Sequence, residues 1–264
     1  MPMPSSTKQR EDEPEAEVLH FWTPFHVNVD ENYDFLPKNP IFRLFSRFLR
    51  RVVLTIFPLY NRLFFHLRVN GMEKLRELEG GAVTICNHVH LLDCTMVADC
   101  FQRRMVYFPT LKSNMEIPVV GGLVRLLGGI PIPKENRAFT RFSKIVNSLL
   151  QRGEIVHLYP EGILAPYYHG IRSFRRGAFT YAYDAEVPVI PMVISYRQPG
   201  PVASLLHKRP LLNLDILDPV YPDLTLERHE GIDVLREGCW QAMNRCFEGH
   251  AECELEWEEE PAGV

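Results

Sequence analysis

Strand-like and helix-like segments alternate through the centre of this 264-residue chain, and this alternation constrains its fold more than any other feature. It begins with a β-branched apolar run over 82–85, a loop at Asn87 and His88, and a second apolar segment that starts near Leu91. Downstream, extended segments over 105–109, 128–133, 154–159, 187–195 and 211–217 are interspersed with helical segments over 117–127, 139–150, 176–185 and 226–247. The pattern predicts an α/β fold with a mostly parallel central sheet flanked by helices.

A histidine and a carboxylate lie close together at the first junction, in the order His88-x-x-x-x-Asp93. An acid one turn into a helix can reach a histidine in the preceding loop, fix its tautomer and leave its other nitrogen as a general base. Alternatively, Asp93 favours the helix start while His88 bonds to loop backbone. A third interpretation places zinc or iron on His88, His90 and Asp93, although a metallohydrolase needs further ligands that this order of residues does not supply.

Residues 39–70 contain no acidic residue and combine arginine with phenylalanine and leucine at helical spacing. Such amphipathic helices favour an anionic bilayer interface, because each arginine near the surface adds about 1 kcal/mol of attraction. The longest uncharged run covers 52–61 and contains Pro58, whereas a spanning helix needs about 20 apolar residues. We therefore predict helices that lie on the membrane. The alternative is a pair of ordinary amphipathic helices packed on the domain.

Charge and cysteine content restrict the partners and the compartment. A formal net charge of −4 argues against nucleic-acid binding through bulk positive charge. We predict an irregular or disordered segment over 1–38, the basic amphipathic helices over 39–70, an α/β domain over 71–250 and an acidic tail over 251–264. The start of the chain lacks a basic-then-apolar signal sequence, so we expect a cytoplasmic location. The six cysteines form no C-x-x-C pair and are expected to be reduced and structural.

Further motifs follow the first junction, each of them weak alone. The stretch GGIPIPK over 128–134 allows close approach of backbone to a ligand and ends in a cation, although a turn followed by a solvated lysine fits equally well. YPEG over 159–162 sets an acid on a tight turn after a buried strand. VPVIP over 187–191 is typical of a buried strand. A cluster that suits either a solvated helix start or a phosphate headgroup consists of Arg172, Arg175 and Arg176.

Taken together, Asn87-His88 with Asp93, GGIPIPK, YPEG and VPVIP resemble the four ordered blocks of the glycerolipid acyltransferases, typified by the 1-acyl-sn-glycerol-3-phosphate acyltransferases. The resemblance covers residues 67–219. It implies that His88 is the general base and Asp93 its orienting partner, that the second block contacts phosphate and glycerol, and that the acid of YPEG binds the acceptor. The predicted substrate-binding residues are Asn87, Gly128, Lys134, Glu161, Gly162, Arg172 and Arg175.

The chain departs from the family pattern in two blocks. The second block has Pro131 where the family often has phenylalanine, and Lys134 where it often has arginine. The third block usually continues Thr-Arg, and here Ile163 and Leu164 follow. Losing that arginine removes a bidentate phosphate contact. We expect Arg172, eight residues beyond Leu164, to swing back and serve in its place.

The resemblance implies an O-acyltransferase that moves a fatty acyl group from acyl-CoA or acyl carrier protein (acyl-ACP) to the hydroxyl of a lysophospholipid. The favoured acceptor is 1-acyl-sn-glycerol-3-phosphate, which gives phosphatidic acid. The thioester is a substrate, and neither a metal nor a bound cofactor is implied. The expected partner is an anionic membrane surface, bound peripherally from the cytoplasmic face. The alternatives are a non-phosphate or other lysolipid acceptor, a thioester hydrolase, and a membrane-binding module without catalysis.

Overall fold

A seven-stranded sheet forms the centre of the molecule in the computed structural model, which describes residues 26–199 and 210–250. The strand order is β1-β7-β6-β2-β5-β3-β4. Neighbouring strands pair in parallel except for β6 and β7, which are antiparallel. The strands are β1 (Arg68–Asn70), β2 (Ala82–Cys86), β3 (Val106–Leu111), β4 (Gly129–Ile132), β5 (Ile155–Leu158), β6 (Val189–Arg197) and β7 (Leu211–Ile216). The prediction of a mostly parallel α/β sheet is confirmed.

The central strands are apolar because helices cover both faces of a parallel sheet. Every residue of β2 is buried, and so is every residue of β6 except the last. Helices α6, α7 and α8 pack against β5, β2 and β6, respectively. The helices are α1 (Pro40–Phe64), α2 (Met72–Arg76), α3 (Asp93–Cys100), α4 (Lys112–Glu116), α5 (Val120–Leu126), α6 (Asn136–Gln151), α7 (Gly177–Asp184) and α8 (Arg228–His250).

The basic segment forms one long helix, α1, where several interfacial helices were predicted. Asn39 caps it by accepting hydrogen bonds from two backbone N–H groups, and Pro40 occupies its first turn. Pro58 lies inside the helix without ending it. The last predicted residues, 68–70, belong instead to the edge strand β1, so this part of the prediction was wrong.

Helix α1 packs on the domain along one side and exposes an apolar stripe along the other. The Ser46 hydroxyl donates to the carbonyl of Leu126 at 2.5 Å, and Arg50 donates to the carbonyl of Phe101 at 2.8 Å. Within the part of the chain that the structure describes, no helix has both the length and the apolar character needed to cross a membrane. The exposed stripe consists of Ile41, Leu44, Phe45, Phe48, Ile56, Leu59, Leu63 and Phe64.

The chain before α1 has no helix or strand over 26–38, and it is anchored to the core. Val29 is 8% exposed and Phe35 is 3% exposed, and both belong to the main apolar cluster. The predictions for residues 1–25 and for the acidic tail lie outside the described residues. The described cysteines are free thiols.

Candidate active site

The strand–loop–helix from β2 to α3 brings His88 and Asp93 into direct contact. His88 Nδ1 lies 2.7 Å from Asp93 Oδ2. The Asp93 side chain is completely buried, whereas the His88 side chain is 23% exposed. Because the carboxylate accepts a hydrogen bond from the Nδ1–H group, Nε2 is left as the basic nitrogen of the neutral ring. Asp93 does stand in the first turn of α3, but its carboxylate contacts the histidine and does more than favour the helix start.

The third interpretation, a metal on His88, His90 and Asp93, does not match the geometry. His90 Nδ1 accepts a hydrogen bond from the backbone N–H of Leu92 at 3.0 Å, and its ring packs edge-on against Phe65. Within residues 26–199 and 210–250, the potential ligand atoms that lie within 4.8 Å of one another belong to a different group. That group is Asp215, Cys246 and His250, in which His250 Nε2 already contacts Asp215 Oδ2 at 3.0 Å.

Asn87 fixes the point at which the loop leaves the sheet. Its side chain is fully buried, its Nδ2 donates to the carbonyl of Ile194 at 2.9 Å, and its Oδ1 accepts from the Ile194 N–H at 2.8 Å. The amide therefore extends the β2–β6 pairing beyond the end of β2. A substrate contact by Asn87 stays a prediction.

Two aromatic residues of the site were missed at the sequence level. The Tyr159 ring stacks on the His88 ring with centroids 3.8 Å apart and planes 11° apart, and its hydroxyl donates to Asp93 Oδ1. His157 packs edge-on against Tyr159 at 4.6 Å and bonds to the Thr84 hydroxyl. Alternate residues of β5 point to one face of the sheet, so positions 157 and 159 could have been paired from strand periodicity.

Glu161 stands at the end of β5, beside the loop that carries His88. It is 5% exposed, and its Oε1 accepts from the backbone N–H of Arg172 at 3.2 Å. Among the described residues, its buried Oε2 has no hydrogen-bond partner. Burial raises the pKa of Glu161, and hydrogen bonds from the backbone of Arg172 and His88 oppose that rise. A buried carboxylate oxygen without a partner is suited to a hydroxyl donor from a ligand.

Arg175 lies across the turn that YPEG forms. Gly162 has φ +75°, and a Cβ built on it would lie 2.8 Å from Arg175 Nε, so the arginine occupies the space that a side chain would fill. The backbone N–H of Arg175 donates to the carbonyl of Pro160 at 2.8 Å. The sequence predicted that Arg172 would swing back to the YPEG turn. In the structure the backbone of Arg172 contacts Glu161, and the side chain of Arg175 lies over Gly162.

The insertion between YPEG and the arginines lines the histidine loop. The backbone N–H of Ala165 donates to the carbonyl of His88 at 2.8 Å, and that of Tyr167 donates to the carbonyl of Val89 at 3.0 Å. These bonds hold the His88 loop from the side opposite Asn87. They also allow the chain to turn back, which brings Arg172 and Arg175 to the end of β5.

The second block lies further from the histidine. Lys134 is exposed and follows β4, at the same edge of the sheet as His88. Strand β4 is three strand positions from β2. At 4.8 Å per strand, the two strands are about 14 Å apart. Gly128 precedes β4 and so lies at the opposite end of the strand. A Cβ there would approach the Val106 carbonyl oxygen to 2.5 Å, which gives this glycine a packing role. Substrate contacts by both residues stay predictions, and the strand direction does not favour one at Gly128.

Comparisons with known proteins identify the family of the chain. A family model described as Acyltransferase matches residues 66–195. The chain is 30% identical to the 1-acyl-sn-glycerol-3-phosphate acyltransferase of Escherichia coli over 68% of this chain and 74% of that enzyme. It is 32% identical to the Salmonella typhimurium enzyme of the same name over 59% of this chain and 64% of that enzyme.

Other matches are less similar in sequence. A chloroplastic 1-acyl-sn-glycerol-3-phosphate acyltransferase of Arabidopsis thaliana is 26% identical over 59% of this chain and 42% of the plant protein. The crystal structure of the 1-acyl-sn-glycerophosphate acyltransferase from Thermotoga maritima superposes with a TM-score of 0.53 at 21% identity. The alignment covers 85% of this chain and 87% of that one. The chain belongs to the glycerolipid acyltransferase superfamily.

Proposed function

We propose that this protein is an O-acyltransferase that moves a fatty acyl group from a thioester to the free hydroxyl of a lysophospholipid. The observation that carries the proposal is the 2.7 Å contact between His88 Nδ1 and the buried Asp93 carboxylate, beside a partly exposed imidazole. This pair supplies an oriented general base. Its E. coli and Salmonella relatives, named for 1-acyl-sn-glycerol-3-phosphate, support that acceptor here.

The reaction is a direct transfer. His88 Nε2 removes the proton from the acceptor hydroxyl as its oxygen attacks the thioester carbonyl, and Asp93 stabilises the imidazolium that forms. The carbon–sulfur bond then breaks, the new ester remains on the acceptor, and the proton on His88 passes to the leaving thiolate. The neighbouring thiols do not serve as nucleophiles, because burial raises the pKa of Cys94 to about 12 and that of Cys86 well above its usual value.

The acceptor is oriented by groups from the end of β5. The unpartnered Glu161 Oε2 accepts a hydrogen bond from a glycerol hydroxyl, and the Arg175 guanidinium above Gly162 meets the phosphate. This arginine replaces, from a position eleven residues later, the one that Leu164 displaces. A second candidate function, acylation of a non-phosphate or other lysolipid, is favoured by Ile163 and Leu164 in place of Thr-Arg.

The donor is acyl-CoA or acyl-ACP and enters as a substrate, so the proposed chemistry needs neither a metal nor a bound cofactor.

Both the acyl chain and the lysolipid reside in a bilayer interface. We propose that the exposed stripe of α1 holds the protein peripherally on the cytoplasmic face of a membrane. The end of α1 adjoins the site, since buried Asn61 bonds to Thr95 of α3 and Phe65 packs on His90.

The acceptor is tested with Arg175→Gln, measured against 1-acyl-sn-glycerol-3-phosphate and against a monoacylglycerol that lacks phosphate. We expect KM for the phosphate-bearing acceptor to rise by about 10- to 100-fold, the equivalent of one hydrogen bond to a charged group. The matched control is Arg176→Gln, because the neighbouring Arg176 is already paired with Asp233 of α8. Equal use of both acceptors by the wild type, with no selective loss in Arg175→Gln, would favour the non-phosphate acceptor.

A further inference from the structure

The hydroxyl of Tyr159 donates a hydrogen bond to Oδ1 of Asp93, the carboxylate oxygen that His88 does not contact. Asp93 is completely buried, so both of its oxygens need partners within the protein. Oδ2 accepts from His88 Nδ1 at 2.7 Å and from the backbone N–H of His90 at 3.4 Å. Oδ1 accepts from the Tyr159 hydroxyl. The tyrosine and the histidine therefore share one carboxylate.

The Tyr159 ring also restricts the imidazole directly. The two stacked rings are nearly parallel, with 11° between their planes and their centroids 3.8 Å apart. Behind Tyr159, His157 packs edge-on at 82° and prevents the phenol from moving away from His88. Burial raises the pKa of Tyr159 well above its usual value, and the Asp93 charge raises it further, so the phenol stays neutral and remains a donor.

We propose that Tyr159 is a positioning residue that sets the basicity of His88 through Asp93, an inference that rests on the proposed acyl transfer. A hydrogen bond to a carboxylate spreads its negative charge, and this lowers the attraction of the carboxylate for a proton on the opposite side. The Tyr159 hydroxyl thereby keeps His88 neutral at lower pH than Asp93 alone would allow. The stacked ring holds the imidazole plane toward the acceptor.

Other ionisable groups face this pair and remain in place when the hydroxyl is removed. They are Cys86 on β2, Cys94 on α3, His157 on β5, Tyr196 on β6, and Glu161 and Arg172 in the segment that follows β5. Both thiols stay protonated and His157 stays neutral over the working range, since burial shifts their pKa values away from it. The effect of the Tyr159 hydroxyl can therefore be isolated by a single substitution.

The test is Tyr159→Phe, which keeps the stacked ring and removes only the hydroxyl. We expect the acid limb of the kcat/KM profile for acyl transfer to move upward by about one pH unit, because one hydrogen bond to a charged group corresponds to about that shift. The acceptor KM should change little. At pH values well above the limb, much of the lost rate should return. A merely structural role would lower the rate at all pH values alike.

A second measurement makes the inference independent of activity. In protein labelled with 13C-histidine, the titration midpoint of the His88 resonance, assigned with His88→Asn, should rise by the same amount in Tyr159→Phe. Introducing 3-fluorotyrosine at position 159 makes the phenol a stronger donor without removing a group, and should move the midpoint downward. This arm also serves if Tyr159→Phe fails to fold.

The control is Tyr183→Phe. It removes a partly buried hydroxyl that donates to the Leu226 carbonyl at 2.8 Å and does not contact Asp93. It should leave both the acid limb and the His88 midpoint unchanged. A His88 midpoint that stays the same in Tyr159→Phe and with 3-fluorotyrosine would overturn the inference. An inactive wild type whose His88 midpoint still follows the substitutions would instead overturn the proposed function and leave the role of Tyr159 standing.

Discussion

At the scale of single residues, a neutral histidine supports the ring stack from below. His157 is 1% exposed, and its Nδ1 lies 2.9 Å from the Thr84 hydroxyl. Burial, with a smaller contribution from the neighbouring His88, lowers its pKa to about 3. Across the described residues, nothing bonds to its buried Nε2. His157 therefore stays neutral within the ring stack near neutral pH.

The depressed pKa of His157 makes the stability of the fold depend on pH. The unfolded chain binds this proton near pH 6.5 and the folded chain near 3, so the contribution is complete above about 6.5 and is lost as pH falls toward 3. We expect the free energy of unfolding to drop by about 2 kcal/mol more between pH 7 and pH 5 in the wild type than in His157→Gln. Denaturant titrations measure the free energy of unfolding at each pH, with substitution of the exposed His229 by Gln as the control. Equal losses of stability in all three proteins would contradict the assignment of the pH dependence to His157.

At the scale of elements, α1 divides its residues between the domain and the solvent. Its arginines are not equivalent. Arg50 donates to carbonyls at the end of α3 and turns toward the protein, whereas Arg47 and Arg51 lie on the exposed surface. The apolar stripe runs the whole 25-residue helix, about 37 Å at 1.5 Å per residue. An apolar stripe beside exposed arginines is typical of a helix that lies in the plane of an anionic interface, with its apolar face toward the acyl chains and its arginines near the headgroups.

We expect binding to liposomes to rise with the fraction of anionic lipid and to fall with salt. Replacing two exposed phenylalanines, in Phe45→Ser with Phe48→Ser, should weaken binding by about 10²–10⁴-fold, since each side chain contributes about 1.5–3 kcal/mol when buried. Cosedimentation measures the partition. The control pair, Tyr221→Ser with Leu224→Ser, removes equally exposed apolar groups away from α1. Equal binding of the wild type to neutral and anionic vesicles would count against the interfacial role.

At the scale of the whole molecule, short sequence patterns were enough to predict the features that depend on residues close together in the chain. The β-branched run of β2, the His88 to Asp93 spacing and the alternation downstream were sufficient for the α/β class and for the central pair. Strand β1 was missed because its three residues are partly exposed and carry no apolar pattern; it is held by β7, some 145 positions away. Tyr159 and His157 were not placed in the site, and Arg172 was expected at the turn that the Arg175 side chain reaches, because these contacts depend on sheet register and on the path of the insertion.

The central claim is that His88, oriented by Asp93, is the general base for direct transfer of an acyl group from a thioester to a lysolipid hydroxyl. The most direct test measures thiol release from palmitoyl-CoA and palmitoyl-ACP in anionic vesicles, with and without 1-acyl-sn-glycerol-3-phosphate. We predict release that requires the acceptor and falls by about 10²–10⁴-fold in His88→Ala, the contribution typical of a general base, while exposed His229→Ala retains it. Release at the same rate without acceptor would point to a hydrolase, and release unchanged in His88→Ala would contradict the account.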